Sequence, residues 1–506
     1  MNISRSTFDR SHGLKTTFDA GKLIPIFIDE ALPGDTFNLN MTGFARMATP
    51  IYPIMDNLYI ETFFFSVPNR LVWDNWQKFM GEQTDPGDSI DFVIPTIDLA
   101  APGPLEGSIY DYFGIPTNTV ATLPINALPL RASNLIYNEW FRDENLQFSL
   151  DVPKGDGPDL QADYELQSRG KRADYFTSCL PWPQKGDAVS LPLGTSAPVV
   201  PALVTIPTVT DGLVPSFQLG FDATGSVIAG PPGSAGGGFG WVTTGMEADL
   251  TSATAATINQ LRQAFQVQKL LETDSRGGTR YVEIIKAHFN VTSPDARLQR
   301  SEFLGGGSTA INISAVAQTS STDGTSPQGN LSATGTASMH NHGFTKSFTE
   351  HCYVLGFMNV RADLTYQQGL NRLWSRETRY DFFFPSLAII GEQAVLLREL
   401  YARGGTGGDL SVFGYQERYA EYRYKPSSIT GAFRSNAVSG TLDAWHLAQD
   451  FTTAPTLGNT FIKDTPPVDR VVATPSEPQF IFDSFMKYKC ARPMPVYGIP
   501  GGMDRF

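Results

Sequence analysis

Asp56–Glu82, DNLYIETFFFSVPNRLVWDNWQKFMGE, sets the terms for the rest of the chain. Leu58, Ile60 and Thr62 alternate with Tyr59, Glu61 and Phe63, and Phe63-Phe64-Phe65 carry the run to Val67. Aromatic and β-branched residues at this density predict a pleated, largely buried strand. Pro68 ends it, having no N–H to give a ladder. Asn69 is then placed to cap a helix with Leu71, Val72, Trp76 and Phe79 on one side, closed by Gly81. Three consecutive phenylalanines require cover on both faces of a sheet.

The composition agrees with a strand-rich chain. Its 506 residues are 41% hydrophobic, enough for a large core, and its 47 glycines and 35 prolines are spread along the whole length without a collagen period. That distribution predicts short strands joined by many loops. The net charge of −13 argues against a general nucleic-acid binder, so any such contact has to be a local basic patch or run through a separate basic partner. Cys179, Cys352 and Cys490 form neither a disulfide framework nor a metal pattern. No run approaches a membrane span, and MNISRSTFDRSHG lacks the apolar core of a signal peptide.

Residues 1–22 read as a polar arm. Either Phe8 and Phe18 tie down a frayed terminus, or Arg5, Arg10 and Lys15 reach a neighbouring subunit or a polyanion. LIPIFID and TFNLNMTGFARM are strands split by the turn Pro33-Gly34-Asp35. A short turn is expected at Tyr110–Phe113 and helices over Arg131–Gln147 and Thr251–Glu272. Between them, residues 184–240 are Pro-, Gly-, Ala-, Val- and Thr-rich with almost no charge and read as an inserted β-loop subdomain. YVEIIKAHF (Tyr281–Phe289) reads as a strand, residues 305–343 as a second low-charge loop insertion that contains a strand-like INISAVAQTS, and Glu392–Ala402 as a short helix. Phe344–Leu364 is a long strand or hairpin bent at Gly356, and Gln479–Cys490 holds the last strand. Strands outnumber helices and do not alternate with them, which predicts an all-β antiparallel sandwich with long loop insertions.

Enzyme signatures are weak. Gly306-Gly307-Ser308-Thr309-Ala310 lacks the closing glycine of a nucleophile elbow, and the glycines at 404–408 follow a helix pattern instead of opening one. His340, His342, His351 and Cys352 form the single histidine cluster, which is read either as zinc ligands or as polar residues beside a half-buried strand. Two basic-aromatic segments stand out. RADLTYQQGLNRLWSRETRY carries Arg361, Arg372, Trp374, Arg376 and Arg379, and YQERYAEYRYK carries Arg418, Arg423 and Lys425. Such mixtures suit large protein interfaces and equally single-stranded nucleic acid, with Glu377, Glu417 and Glu421 placed to pair locally.

Long motifs in order complete the reading. They include STFDRSHGLKTTFDAGKLIPIFIDEALPGDTFNLN, FFFSVPNRLVWDNWQKFMGE, LIYNEWFRDENLQ, RADYFTSCLPWPQKG, SPDARLQRSEFLGGGS, RADLTYQQGLNRLWSRETRYDFFFP, GYQERYAEYRYKPS, LDAWHLAQDF and KCARPMPVYGIPG. Through them the chain resembles, over essentially its whole length, the major capsid proteins of Microviridae of the gokushovirus type. The resemblance implies a viral jelly roll of eight strands in two four-stranded sheets, with no enzyme activity and no cofactor. It implies virion subunits that form, through pentamers, a T=1 shell of sixty copies around a circular single-stranded DNA, assembled in the bacterial cytoplasm. Implied partners are a small basic packaging protein, an internal scaffolding protein and a host-surface receptor, met by a loop insertion that protrudes at the three-fold axes and for which residues 184–240 are the candidate. A secreted-type carbohydrate-binding or carbohydrate-active β-sandwich is the alternative; it would need a carboxylate pair or an aromatic sugar platform, and the expected lack of a signal peptide opposes it.

Overall fold

The computed structural model describes residues 5–187, 189, 258–291 and 299–496, less positions 90, 279, 323, 325–326, 405–406 and 439–440, and short strand pieces between 199 and 248. The chain divides into two compact units, residues 184–276 and the remainder.

Ten strands of the larger unit make two antiparallel sheets. They are β1 (Ser6–Asp9), β2 (His12–Phe18), β3 (Ile24–Ala31), β4 (Thr36–Met47), β5 (Leu58–Pro68), β6 (Glu302–Ala310), β7 (Asn312–Ala317), β8 (Leu331–Ser347), β9 (Cys352–Ala362) and β10 (Phe480–Arg492). One sheet runs β2-β10-β4-β8, with β1 added along β10 and β7 along β8, and the other runs β3-β9-β5-β6. First and last strands pair, and each sheet alternates early and late strands, as in a jelly roll. The first sheet is six-stranded, where the resemblance led us to expect four. β1 and β2 are the reason: the expected arm is a paired edge whose Phe18 stacks on Phe480 at 5.3 Å.

β5 meets the requirement of its three phenylalanines. Leu58, Ile60 and Phe64 point into the core between the sheets, beside Phe27, Leu39, Met41, Phe344, Phe482 and Tyr488. Phe65 and Val67 point to the opposite face, where helix α1 (Leu128–Ile136) and Trp73 cover them and Phe63 packs alongside. Each fully buried ring of this kind contributes about 1.5–3 kcal/mol. The helix expected after Pro68 breaks up into a 3-10 turn, Asn69–Leu71, and one α-turn, Trp76–Phe79, because Val72 and Trp73 between them drop into the second core.

Residues 305–343 are not a loop insertion: the strand-like INISAVAQTS holds β7, and the segment also carries most of β6 and most of β8. Their glycines serve close approach. A Cβ on Gly306 would stand 2.0 Å from the Thr62 carbonyl oxygen, and one on Gly343 would stand 2.0 Å from that of Leu39. YVEIIKAHF is a helix, α3 (Tyr281–Phe289), whose Glu283 side chain accepts from the Arg280 N–H and which ends on Asn290 at φ 54°. Glu392–Leu396 is a strand paired with Val412–Glu417, and only Leu397–Leu400 is helical.

In the smaller unit, residues 258–276 form a helix, α2 in chain order, and the strand pieces pair in short ladders, such as Val199–Pro201 with Met246–Ala248. Most of the expected 184–240 insertion, including 229–239, lies outside the described residues.

Candidate functional site

The two basic-aromatic segments meet around the ladder formed by Glu392–Leu396 and Val412–Glu417, but their arginines do different work. Arg372 donates to the Ala394 carbonyl at 2.9 Å and to buried Glu399 at 3.2 Å. Burial raises the pKa of Glu399, opposed by Arg372 and by hydrogen bonds from the Leu396 N–H and the Tyr175 hydroxyl. Arg376 lies between the rings of Tyr422 (4.4 Å) and Phe382 (5.3 Å), donates to the Tyr422 hydroxyl at 2.6 Å and sits 3.6 Å from Glu421. Arg418 covers the Tyr419 ring and donates to the Tyr380 carbonyl at 3.3 Å, and Arg423 pairs with Glu417. The local glutamates therefore engage much of the charge that the sequence offered to a ligand.

What remains outside is apolar and aromatic. Trp374 is 75% exposed and Ile389 is 87% exposed, with Leu373, Tyr380, Phe382, Phe383 and Ile390 each at least half exposed. Arg379 is exposed over Tyr380 and Phe384, and Lys425 is exposed beside a cavity of about 280 Å³ lined by Trp374, Tyr424, Arg372 and Arg434.

Arg361 belongs to another place. It donates to Glu61 on β5 at 2.8 Å, as do Arg172 at 3.0 Å and Arg169, while Arg172 also reaches Asp363 at 3.1 Å. Burial raises the Glu61 pKa, but Arg169 and Arg361 outweigh it and hold it below the ordinary value. Beside them, burial pushes the Asp464 carboxyl up to about 7 against the pull of Arg361 and Lys171. Sequence reasoning does not find this cluster. Its one signal is a carboxylate, Glu61, inside an aromatic strand; its partners lie about a hundred residues or more away.

The arm cations are partnered within the chain: Arg5 with Thr36 (2.5 Å), Arg10 with Asp29, and Lys15 with Asp483 (3.4 Å). The histidine cluster is dispersed. His342 is buried with Nδ1 2.9 Å from the Thr62 hydroxyl and Nε2 3.0 Å from that of Thr309, linking the two sheets, and burial keeps its pKa low. His340 turns outward to Ser338, and His351 packs on Trp76. Among the described residues, no group of three or more His, Cys, Asp or Glu is arranged to hold a metal ion.

A jelly-roll topology and a surface of uncovered aromatics coincide with the comparison to known families. A family model described as capsid protein (F protein) matches residues 1–502. The chain belongs to this capsid protein family. Among its F-family relatives, the capsid protein VP1 of Bdellovibrio phage phiMH2K is 52% identical over 100% of this chain and 97% of its own. VP1 of Chlamydia phage 1 is 44% identical over 99% of this chain and 96% of its own, and VP1 of Spiroplasma virus 4 is 37% identical over 99% and 96%. These relatives are structural capsid proteins, so the F-family chain is a virion component and not an enzyme. No helix among the described residues is long and apolar enough to cross a membrane.

Proposed function

We propose that the subunit closes, through pentamers, into a T=1 shell of sixty copies around a circular single-stranded DNA. The exposed aromatic surface of residues 370–390 and 422–424 is proposed as a principal contact between copies. The observation that carries this reading is the run of large uncovered side chains around Trp374 and Ile389. Soluble monomers seldom leave such a surface open, and Trp, Tyr and Arg are the residues interfaces favour. Arg379, Arg423 and Lys425 sit at its rim, whereas Arg372, Arg376 and Arg418 brace it from within. Sixty-fold symmetry multiplies each contact. A small basic protein and an internal scaffold fit a subunit of charge −13 that has to enclose DNA.

Full-length subunit examined by negative-stain electron microscopy and sedimentation velocity is expected to give pentamers or closed shells. The double variant Trp374→Ala/Ile389→Ser should keep the melting temperature and raise the concentration needed for assembly at least about tenfold. Unchanged assembly would remove this surface from the shell contacts.

The 184–240 segment is proposed to meet the host receptor. Deleting residues 231–238 from a phage genome should leave particle yield unchanged and cut attachment to host cells by an order of magnitude. Loss of particles would instead assign the segment to assembly.

A further inference from the structure

Among the described residues, the six-stranded sheet shows one face to the core and leaves the other open. Along β10, Phe480, Phe482, Ser484, Met486, Tyr488 and Cys490 are buried, while Ile481, Asp483, Phe485, Lys487 and Lys489 are exposed. β4 follows the same rule, with Asn38, Thr42, Phe44 and Arg46 outward, and β2 adds Lys15 and Thr17. Register brings these together: Arg46 lies opposite Ile481, Phe44 opposite Asp483, Thr42 opposite Phe485 and Asn38 opposite Lys489. Lys15 lies opposite Asp483 from the other side, and Asp9 of β1 opposite Lys489.

Two properties of this face bear on what it can hold. The first is charge. Lys15, Arg46, Lys487 and Lys489, with Arg5 at the edge, face only Asp9 and Asp483 on β1, β2, β4 and β10, in a chain with 51 acidic against 38 basic residues. The second is aromatic exposure. Phe44 is 50% and Phe485 is 52% exposed, and they are diagonal neighbours on adjacent strands, about 7 Å apart by sheet geometry. Among the described residues neither ring stacks on another aromatic side chain.

A protein interface is a poor match, because lysine is depleted at interfaces while arginine and the larger aromatics are enriched, as around Trp374. A sheet face with open aromatic rings, lysines beside them and amide and hydroxyl groups between suits unpaired bases and a phosphate backbone. We propose that this face holds single-stranded nucleic acid, with bases stacked on Phe44 and Phe485 and phosphates at Lys15, Arg46, Lys487 and Lys489. The inference rests on the reading that the shell encloses single-stranded DNA, and it places the contact away from both basic-aromatic segments.

The test is fluorescence anisotropy of a labelled twenty-nucleotide oligo-dT with full-length subunit across a salt series. Four phosphate contacts predict a log–log salt slope near −3, at about 0.7 per phosphate on a single strand. Lys487→Ala/Lys489→Ala should flatten the slope by about 1.4, and Lys487→Gln/Lys489→Gln should do the same. Phe44→Ala/Phe485→Ala should weaken binding about tenfold or more with the slope unchanged. Duplex DNA of the same length should bind more weakly and ignore the phenylalanine change, and Trp374→Ala/Lys425→Ala should bind as wild type. Melting curves confirm that each variant is folded. The proposal is overturned if wild type does not bind the oligonucleotide, or if the sheet-face variants bind as wild type. If those variants bind normally while shells still form, this face alone is excluded. A subunit that neither assembles nor binds the single strand overturns the enclosing function as well.

Discussion

Replacing Arg131 with methionine should destabilise the subunit by about 3–5 kcal/mol, the usual cost of leaving one member of a buried ion pair alone. Arg131 on α1 has no exposed side-chain surface, and its partner Asp159 has 2%. Arg131 Nε and Nη2 donate to the two carboxylate oxygens at 2.7 and 2.6 Å, and Nη1 donates to the carbonyls of Gly155 (2.9 Å) and Val72 (3.1 Å). Tyr164 donates to the same carboxylate at 2.6 Å. One guanidinium thus fastens three segments of the long excursion between β5 and β6, and α1 is the layer that covers Phe65. Methionine keeps much of the volume but strands the carboxylate and two carbonyls. Differential scanning fluorimetry should show a melting point lower by several degrees or an insoluble product. Adding Asp159→Asn should recover part of the loss, since it removes the orphaned charge. A single variant as stable as wild type would mean that water or a relaxed backbone satisfies the site, and that the pair is not the fastening described.

Gly343→Ala should be nearly as damaging. Its Cβ would meet the Leu39 carbonyl oxygen at 2.0 Å and the adjacent carbonyl carbon at 2.8 Å, and these are strand backbone with nowhere to turn. β8 already carries a bulge between Met339 and His342, with Asn341 at φ 61°, so it is pressed onto β4 where no slack remains. Separating the strands would break ladder hydrogen bonds beside the His342 link between sheets, at a cost of at least about 3 kcal/mol. Gly306→Ala should behave alike, through the Thr62 carbonyl. At Gly324 no heavy atom lies within 4 Å of where an added methyl would stand, and Gly324→Ala should change stability by less than about 0.5 kcal/mol. Soluble yield and melting temperature of the three variants, measured side by side, check the contrast. Equal behaviour would show that the glycines are there for flexibility after all.

That contrast also explains what can be read from the residues and what cannot. β4 and β10 are legible because polar and apolar residues alternate along both, and the turn at Pro33-Gly34-Asp35 places Gly34 at φ 91° where glycine is favoured. The triple phenylalanine correctly demands two covering layers. Residues 305–343 mislead because Gly-, Ser- and Thr-rich sequence looks like a linker, while here small residues let β6 and β8 pass close to β5 and β4. The apolar run of Tyr281–Phe289 imitates a strand, and the local Arg280–Glu283 cap decides for helix. At Glu392–Leu396 the reverse holds: helix-forming residues become a strand because Val412–Glu417 is there to pair with. The candidate site is legible in composition but not in roles. Nothing local distinguishes Arg361, which serves Glu61 three hundred residues away, from Arg379, which stays at the surface.

The pairing of β10 with β1 and β2 has a consequence for how the subunit is made. Among the described residues, β1 and β2 have no other strand to join, and β10 also fills the open edge of β4. A ribosome working at 5–20 residues per second releases residues 480–492 roughly 20–90 s after β4. Throughout that interval the amino-terminal strands wait without a partner, and nearby nascent chains present the same vacant edge. A polypeptide that stops short of Phe480 cannot complete the edge on which β1 and β2 depend, and its unpaired strands are expected to make it a substrate for chaperones and proteases.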